Sequence, residues 1–252
     1  MKAIVAYLPP RQRFNTDAFV SNLGRYRTRN KFIMVSDDKS WQVECCPDPE
    51  KARCGNSNAV NNLVFLMCLK VSIEMGVDTM LYLESDCRVN GHYWDQRVFN
   101  EYQQQGKPVA GTLFAVNPWN SGSLNAQRFA EWSNRNVNGI PTVTALGVME
   151  PGRVAPAYCF PNGALGVYDV KFVWDLFRGE DLMIMAKEFQ AWDREIGLRI
   201  ANRYPGHEYD QQAALTSVYS GYGDACNTEA ERLQWLHSGK VAAIHQVKGN
   251  VE

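Results

Sequence analysis

The chain has 252 residues, 45% of them hydrophobic, with 26 Lys and Arg against 27 Asp and Glu and a formal net charge of −1. That is enough apolar material for a sizeable core, and the balanced charge gives no global attraction to nucleic acid or to an anionic membrane. The first apolar run, Ala3 to Leu8, is too short for the core of a signal peptide and no stretch approaches the roughly 20 residues of a membrane span, so a cytoplasmic protein, bacterial or viral, is expected.

In chain order, Lys2 to Leu8 reads as a strand closed by Pro9-Pro10. Asn15 to Tyr26, with Phe19, Val20 and Leu23, reads as a helix, and Lys31 to Val35 as a second strand ending at Ser36-Asp37-Asp38. Asn58 to Met75 is a strong helix with Gly76 as its stop signal. A strand of Met80, Leu81, Tyr82 and Leu83 follows and ends in Glu84-Ser85-Asp86. Helix Trp94 to Gln105, strand Pro108 to Phe114 and a Gly/Pro/Asn/Ser-rich loop from Asn117 to Asn125 come next. Helices are expected near Val170 to Arg178, Leu182 to Arg203 and Asp210 to Tyr219. Strands alternating with helices imply an α/β fold, a Rossmann-like, mainly parallel sheet flanked by helices, as a single domain over residues 1–252. The seven cysteines are odd in number and lack C-x-x-C spacing, which fits reduced thiols, the adjacent pair Cys45-Cys46 included.

In such sheets ligands bind outside the carboxyl ends of the strands, where Tyr7, Asp37, Glu84 and Asp86 fall. Side chains alternate along an extended chain, so Glu84 and Asp86 are expected on one side and Ser85 on the other. Two carboxylates side by side repel unless they are solvated, share a proton or bind a cation. Oxygen ligands suit Mg²⁺ or Mn²⁺. A third ligand is available in His245, which ends the apolar run Val241 to Ile244. An imidazole beside two carboxylates favours manganese over magnesium, and Lys248 is placed to meet a phosphate in the same site.

These residues resemble those of the GT-A fold glycosyltransferases. Glu84-Ser85-Asp86 looks like their D-x-D motif with Glu in the first place, and His245 to Gly249 is similar to the H-x-x-x-G ending of the glycogenin-like retaining families. Phe160-Pro161-Asn162-Gly163-Ala164-Leu165-Gly166, followed by Val167-Tyr168-Asp169, looks like the glycine-bearing strand and loop on their acceptor side. The resemblance implies a nucleotide-sugar donor, a UDP-sugar first among them, and a divalent metal (Mn²⁺ or Mg²⁺) held by Glu84, Asp86 and His245. Tyr7, Asp37, Ser85 and Lys248 would then contact the donor, and Asn162 and Gly163 the acceptor. Residues 1–116 would form the nucleotide-sugar half and 117–252 the acceptor and catalytic half.

Two acidic clusters compete for the chemistry. Trp192-Asp193-Arg194-Glu195-Ile196-Gly197-Leu198-Arg199 resembles the E-D-x-E-x-G-x-R segment of inverting enzymes, with Trp in the first place and Asp193 as the base for an acceptor hydroxyl. Alternatively, Asp210-Gln211-Gln212-Ala213-Ala214-Leu215 looks like the D-Q-x-A-L helix start of retaining families, where Asp210 or Gln211 faces the reacting carbon. Asp193 is preferred. The acceptor is a saccharide, a protein, a small molecule or a hydroxylated DNA base. For DNA the net charge gives no support, and Arg11, Arg13, Arg25, Arg27, Arg29 and Lys31 form the one dense basic cluster. Two other classes stand beside this reading. A non-catalytic nucleotide-sugar-binding module would keep the cleft without a base. A sugar-nucleotide nucleotidyltransferase would carry a glycine-rich loop after the first strand, where this chain has Tyr7-Leu8-Pro9-Pro10-Arg11.

Overall fold

The computed structural model describes residues 1–8, 13–36, 58–116, 158–177, 192–204, 207, 210–220 and 229–245. Asp37, the Cys45-Cys46 pair, the loop from Asn117 to Asn125 and Lys248 lie outside them. The elements are β1 (Lys2–Tyr7), α1 (Arg13–Gly24), β2 (Lys31–Val35), α2 (Asn58–Glu74), β3 (Thr79–Leu83), β4 (Arg88–Val89), α3 (Trp94–Gln105) and β5 (Val109–Val116), then β6 (Tyr158–Asp169), α4 (Val170–Leu176), α5 (Trp192–Arg203), β7 (Gln212–Ala214), β8 (Val218–Tyr219), α6 (Glu229–His237) and β9 (Ala243–Ile244).

Among the described residues, one sheet of six strands runs β2-β1-β3-β6-β5-β7 and a second of three runs β4-β9-β8. In the larger sheet β1 pairs in parallel with β2 and β3, and β5 with β7, while β6 runs against both β3 and β5. The expected α/β sheet, mainly parallel and flanked by helices, is thus present.

The alternation of side chains splits the core in two. From β1 and β3, Ala3, Val5, Tyr7, Met80 and Tyr82 face the apolar sides of α2, α4 and α5. Ile4, Ala6, Leu81 and Leu83 point the other way, onto Phe19 and Leu23 of α1 and Trp94, Val98 and Phe99 of α3. Both faces of these strands are covered, which is why they read as continuous apolar runs. α2 is buried without a break from Leu63 to Leu69, as a helix stretch apolar all round must be. It stops at Gly76, whose φ of 69° allows Val77 N to bond Ser72 O at 2.8 Å and Gly76 N to bond Ile73 O at 3.0 Å, a Schellman ending. α4 starts where the Asp169 carboxylate accepts the Phe172 N–H at 2.8 Å.

Two expectations are corrected. The helix expected over Asp210 to Tyr219 is absent: Gln212–Ala214 pairs in parallel with Val109–Gly111, and Val218–Tyr219 pairs with Ala243–Ile244. Ala213, Ala214 and Leu215 are good helix formers, but here the open edge of β5 supplies backbone partners and a buried position, and that context overrides propensity. The stretch read as a glycine-bearing strand and loop is one strand, Tyr158–Asp169, in the middle of the sheet.

Candidate active site

The site is assembled at the carboxyl end of β3. Leu83 is the last residue in register with β6, and Glu84 N still bonds Ala164 O at 3.0 Å. The chain then turns instead of running on extended, with Cys87 N bonding Glu84 O at 3.0 Å, so the two carboxylates converge through a turn and not through strand alternation. Arg88, fully buried, braces this turn by donating from Nη1 to Ser85 O at 3.1 Å and Cys87 O at 2.8 Å. β4 next pairs antiparallel with β9, Arg88 opposite Ile244. One step further along that ladder stands His245.

His245 Nε2 lies 3.0 Å from Asp86 Oδ1 and 3.6 Å from Glu84 Oε2. One ligand atom from each of the three residues falls within 4.8 Å of the others. The imidazole is buried, and its other nitrogen, Nδ1, is 3.1 Å from Ser220 Oγ. Ser220 is held in turn by its N–H on Thr112 Oγ1 at 2.9 Å, and His245 N bonds Tyr219 O at 2.9 Å. One ring nitrogen is thus occupied from behind while the other is presented to the carboxylates, the arrangement that fixes a metal-binding tautomer.

The electrostatics agree with a cation site. Burial pushes the His245 imidazole down, but the Asp86 carboxylate, by charge and hydrogen bond, and Glu84 outweigh it and raise it to about 9. Burial raises the Asp86 carboxyl, and the opposing charge and hydrogen bond of His245, with Arg88, bring it below the usual carboxylate range. Asp86 Oδ1 is buried, and the group that faces it is the His245 imidazole 3.0 Å away, which stands where a cation can take the place of its proton. Adjacent ligands of an octahedral ion with bonds of about 2.1 Å stand about 3 Å apart, close to the spacings found. The residues fit a divalent ion.

Asp193 joins this site through β6. Ala164 bonds Glu84, and its neighbour Gly163 donates its N–H to Asp193 Oδ2 at 3.0 Å. The start of α5 is fixed by Trp192, whose N–H bonds Asn62 Oδ1 at 2.7 Å and whose indole stacks on Phe65 at 3.5 Å with Tyr82 and Tyr168 edge-on. A Cβ on Gly163 would sit 2.3 Å from that indole, and one on Gly166 would sit 2.6 Å from the Tyr168 hydroxyl. The space these glycines leave is therefore filled by core aromatics, not by a ligand. Trp192 in the place of the expected Glu is a packing residue.

The other expected residues divide. Tyr7, at the carboxyl end of β1, and Ser85, within the turn, are both buried at this edge. Asn162 lies in β6 beside Gly163. Asp210 and Gln211 precede β7, which begins opposite Val109, itself opposite Tyr168 at the Thr79 end of the sheet. That is the far edge from Glu84, and the exposed Asp210 there meets His207 at 3.1 Å and Lys107 at 3.8 Å. Ser220 and Arg88 were not foreseen. An Arg two residues after Asp86, between Cys87 and Val89, is a signal for Arg88, since a buried guanidinium needs carbonyls or carboxylates; a lone Ser upstream of His245 carries none.

No family model matches the chain, and no curated protein matches it. Solved structures do. A glycosyltransferase involved in glycosylation of the major capsid of PBCV-1 is 11% identical, with 98% of this chain and 94% of that one covered and a TM-score of 0.43. Mouse xyloside xylosyltransferase 1 is 11% identical, with full coverage of both chains and a TM-score of 0.44. The bifunctional glycosyltransferase WbbM is 13% identical over 98% of this chain and 46% of that one, with a TM-score of 0.47. The chemistry of the site is read from this chain's own residues.

Proposed function

We propose that the protein is a glycosyltransferase that moves a sugar from a nucleoside diphosphate donor to an acceptor hydroxyl, with a divalent ion, Mn²⁺ in preference to Mg²⁺, held by Glu84, Asp86 and His245. The observation that carries the reading is the convergence of these three groups at the carboxyl end of β3, with the histidine braced by Ser220. An ion bound there supplies positive charge to the diphosphate of the donor as it becomes the leaving group.

Asp193 is the base. Its Oδ2 accepts the Gly163 N–H at 3.0 Å, which fixes the carboxylate one residue along β6 from the contact with Glu84. It takes the proton of the acceptor hydroxyl as that oxygen attacks the anomeric carbon and the bond to the diphosphate breaks, which gives inversion. Tyr7 and Asp37 serve the nucleoside, Ser85 and Lys248 the diphosphate, and Asn162 the acceptor. A UDP-sugar is the first donor to try.

The test is nucleotide release across a panel of UDP-, GDP-, ADP- and CMP-sugars, with Mn²⁺ or with chelator, for the native chain and Asp86→Ala. Manganese-dependent release from one donor, lost in the variant, is expected. No release from any donor, together with no metal-dependent nucleotide binding by calorimetry, overturns the reading.

A further inference from the structure

At the amino-terminal end of β2, away from the edge that carries Glu84, exposure alternates residue by residue. Arg25, Arg27, Arg29 and Lys31 are exposed, while Tyr26, Thr28 and Asn30 between them are partly buried. The inward residues anchor the segment. Tyr26 Oη is 3.1 Å from Asn90 Oδ1, and the buried Asp95 accepts at Oδ2 from Arg29 N at 3.0 Å, Asn30 N at 2.9 Å and Asn30 Nδ2 at 2.7 Å. Arg27 N donates to His92 Nδ1 at 3.1 Å. The carboxylate beneath the cations is thus engaged by the backbone that carries them.

The band continues onto α3. The Arg29 guanidinium lies 4.7 Å over the Tyr93 ring. Arg97 donates to Gly239 O at 2.7 Å and Lys240 O at 2.9 Å, which brings Lys240 into the same surface. Tyr93 is, among the described residues, the one non-glycine with positive φ, 61°, a conformation that side chains disfavour and that is held here by its N–H on Arg27 O at 2.6 Å. Beside it opens a groove of about 580 Å³ lined by Tyr93, Gln96, Arg97, Asn100 and Gln104. The three amides recur every fourth residue and form one ridge of the helix. Glu101, the acid of the groove, is taken by Thr216 N and Oγ1, each at 2.6 Å, and Ser217 N at 2.8 Å.

We infer that this band and groove bind a nucleic acid, the cations on its phosphates and Tyr93 with the amide ridge against its bases. The chemistry favours that partner over other polyanions. Amides pair with base edges, an aromatic held rigidly at the surface is a platform for a base, and no large aliphatic side chain lines the groove, as a membrane surface would require. The inference does not rest on the sugar-transfer reading, because the band occupies the opposite end of β1 and β2, about one strand length, roughly 17 Å, from the carboxyl edge.

The test is fluorescence anisotropy of labelled DNA and RNA oligonucleotides, single-stranded and duplex, against the full chain across a salt series. Binding is expected to weaken with salt by about 0.7–0.9 in slope of log K against log concentration for each phosphate contacted. Arg27→Ser/Arg29→Ser/Lys31→Ser should lower that slope by about 2–3 while leaving the melting temperature and Mn²⁺ binding unchanged. Tyr93→Gly relieves the backbone and keeps the fold, so a weakening of single-strand binding by about tenfold isolates the ring. No binding at low salt, binding unaffected by the triple substitution, or equal affinity for a sulfated polysaccharide overturns the inference; in none of these cases is nucleotide release from a sugar donor affected.

Discussion

At the metal site proposed for Glu84, Asp86 and His245, an ion must compete with a proton. In the metal-free protein the imidazole is raised to about 9, so at neutral pH it is a cation facing Asp86, and its Nε2 cannot donate a lone pair to a metal until that proton leaves. The apparent dissociation constant therefore carries a factor of about one plus ten to the power of nine minus pH, close to 100 at pH 7 and 10 at pH 8. Asp86, held below the usual carboxylate range, is already ionised there and releases nothing. Affinity for Mn²⁺ should accordingly rise about tenfold per pH unit between roughly pH 6.5 and 8.5, near 1.4 kcal/mol per unit, with close to one proton released per metal. Calorimetry in buffers of different ionisation enthalpy measures both quantities. His245→Gln removes the titrating group and should bind more weakly with no slope. An affinity that is flat in this range, or binding without proton release in the native chain, would refute the assignment of His245 as a ligand.

The same pair sets the stability of the metal-free protein. A raised imidazole stabilises the fold fully below its unfolded value near 6.5 and loses that contribution as pH rises through about 9. Thermal melts in chelator should thus show a fall on the alkaline side of up to ~3 kcal/mol, and saturating Mn²⁺ should abolish it. Ser220→Ala, which removes the hydroxyl 3.1 Å behind His245 Nδ1, should weaken metal binding by about 10- to 100-fold with little change in the melting temperature at acid pH. Gly163→Ala forces a methyl into the Trp192 indole at 2.3 Å and should cost about 1–3 kcal/mol, read by denaturant titration and by near-ultraviolet dichroism of the stacked tryptophan. Asp193→Asn keeps an oxygen for the Gly163 N–H but removes the base, and should lower kcat by about 10²–10⁴ at unchanged donor affinity.

What was legible in the sequence is the first half of the large sheet and the pair of carboxylates at the end of β3 that His245 meets. β1, β2, β3, α2 and α3 are marked by apolar runs or stripes with clear stops, because strands buried on both faces and amphipathic helices leave unambiguous patterns. Glu84 and Asp86 stand out for the same reason: charge follows directly on an apolar strand. The small sheet was not legible. β4, β8 and β9 have two residues each, too few for any period, and they form because distant backbones meet. Ser220 behind His245 and the far-edge position of Asp210 follow from those pairings and from β7, so they could not be read from local spacing. Gly163 and Gly166 were read as room for a ligand; what fills the room is Trp192 and Tyr168, residues whose partners lie far off in sequence.

Net charge describes the chain as a whole and not any one edge of it. The value of −1 averages two fields that the fold separates by the length of its strands. At the carboxyl edge, the partly exposed Glu84 and Asp86 face the buried His245 imidazole, and their mutual repulsion is relieved by a proton on that ring or by a metal in its place. At the amino edge, Arg25, Arg27, Arg29 and Lys31 are exposed above a carboxylate whose hydrogen bonds go to the backbone. Charges that far apart are beyond a screening length of about 8 Å at physiological salt, so neither edge senses the other. Each must be judged by its own surroundings: the acidic edge by what neutralises it, the basic edge by what it attracts. A composition-level argument against a polyanionic partner does not reach a local cluster such as Arg25, Arg27, Arg29 and Lys31, which stand together and exposed at the amino end of β2.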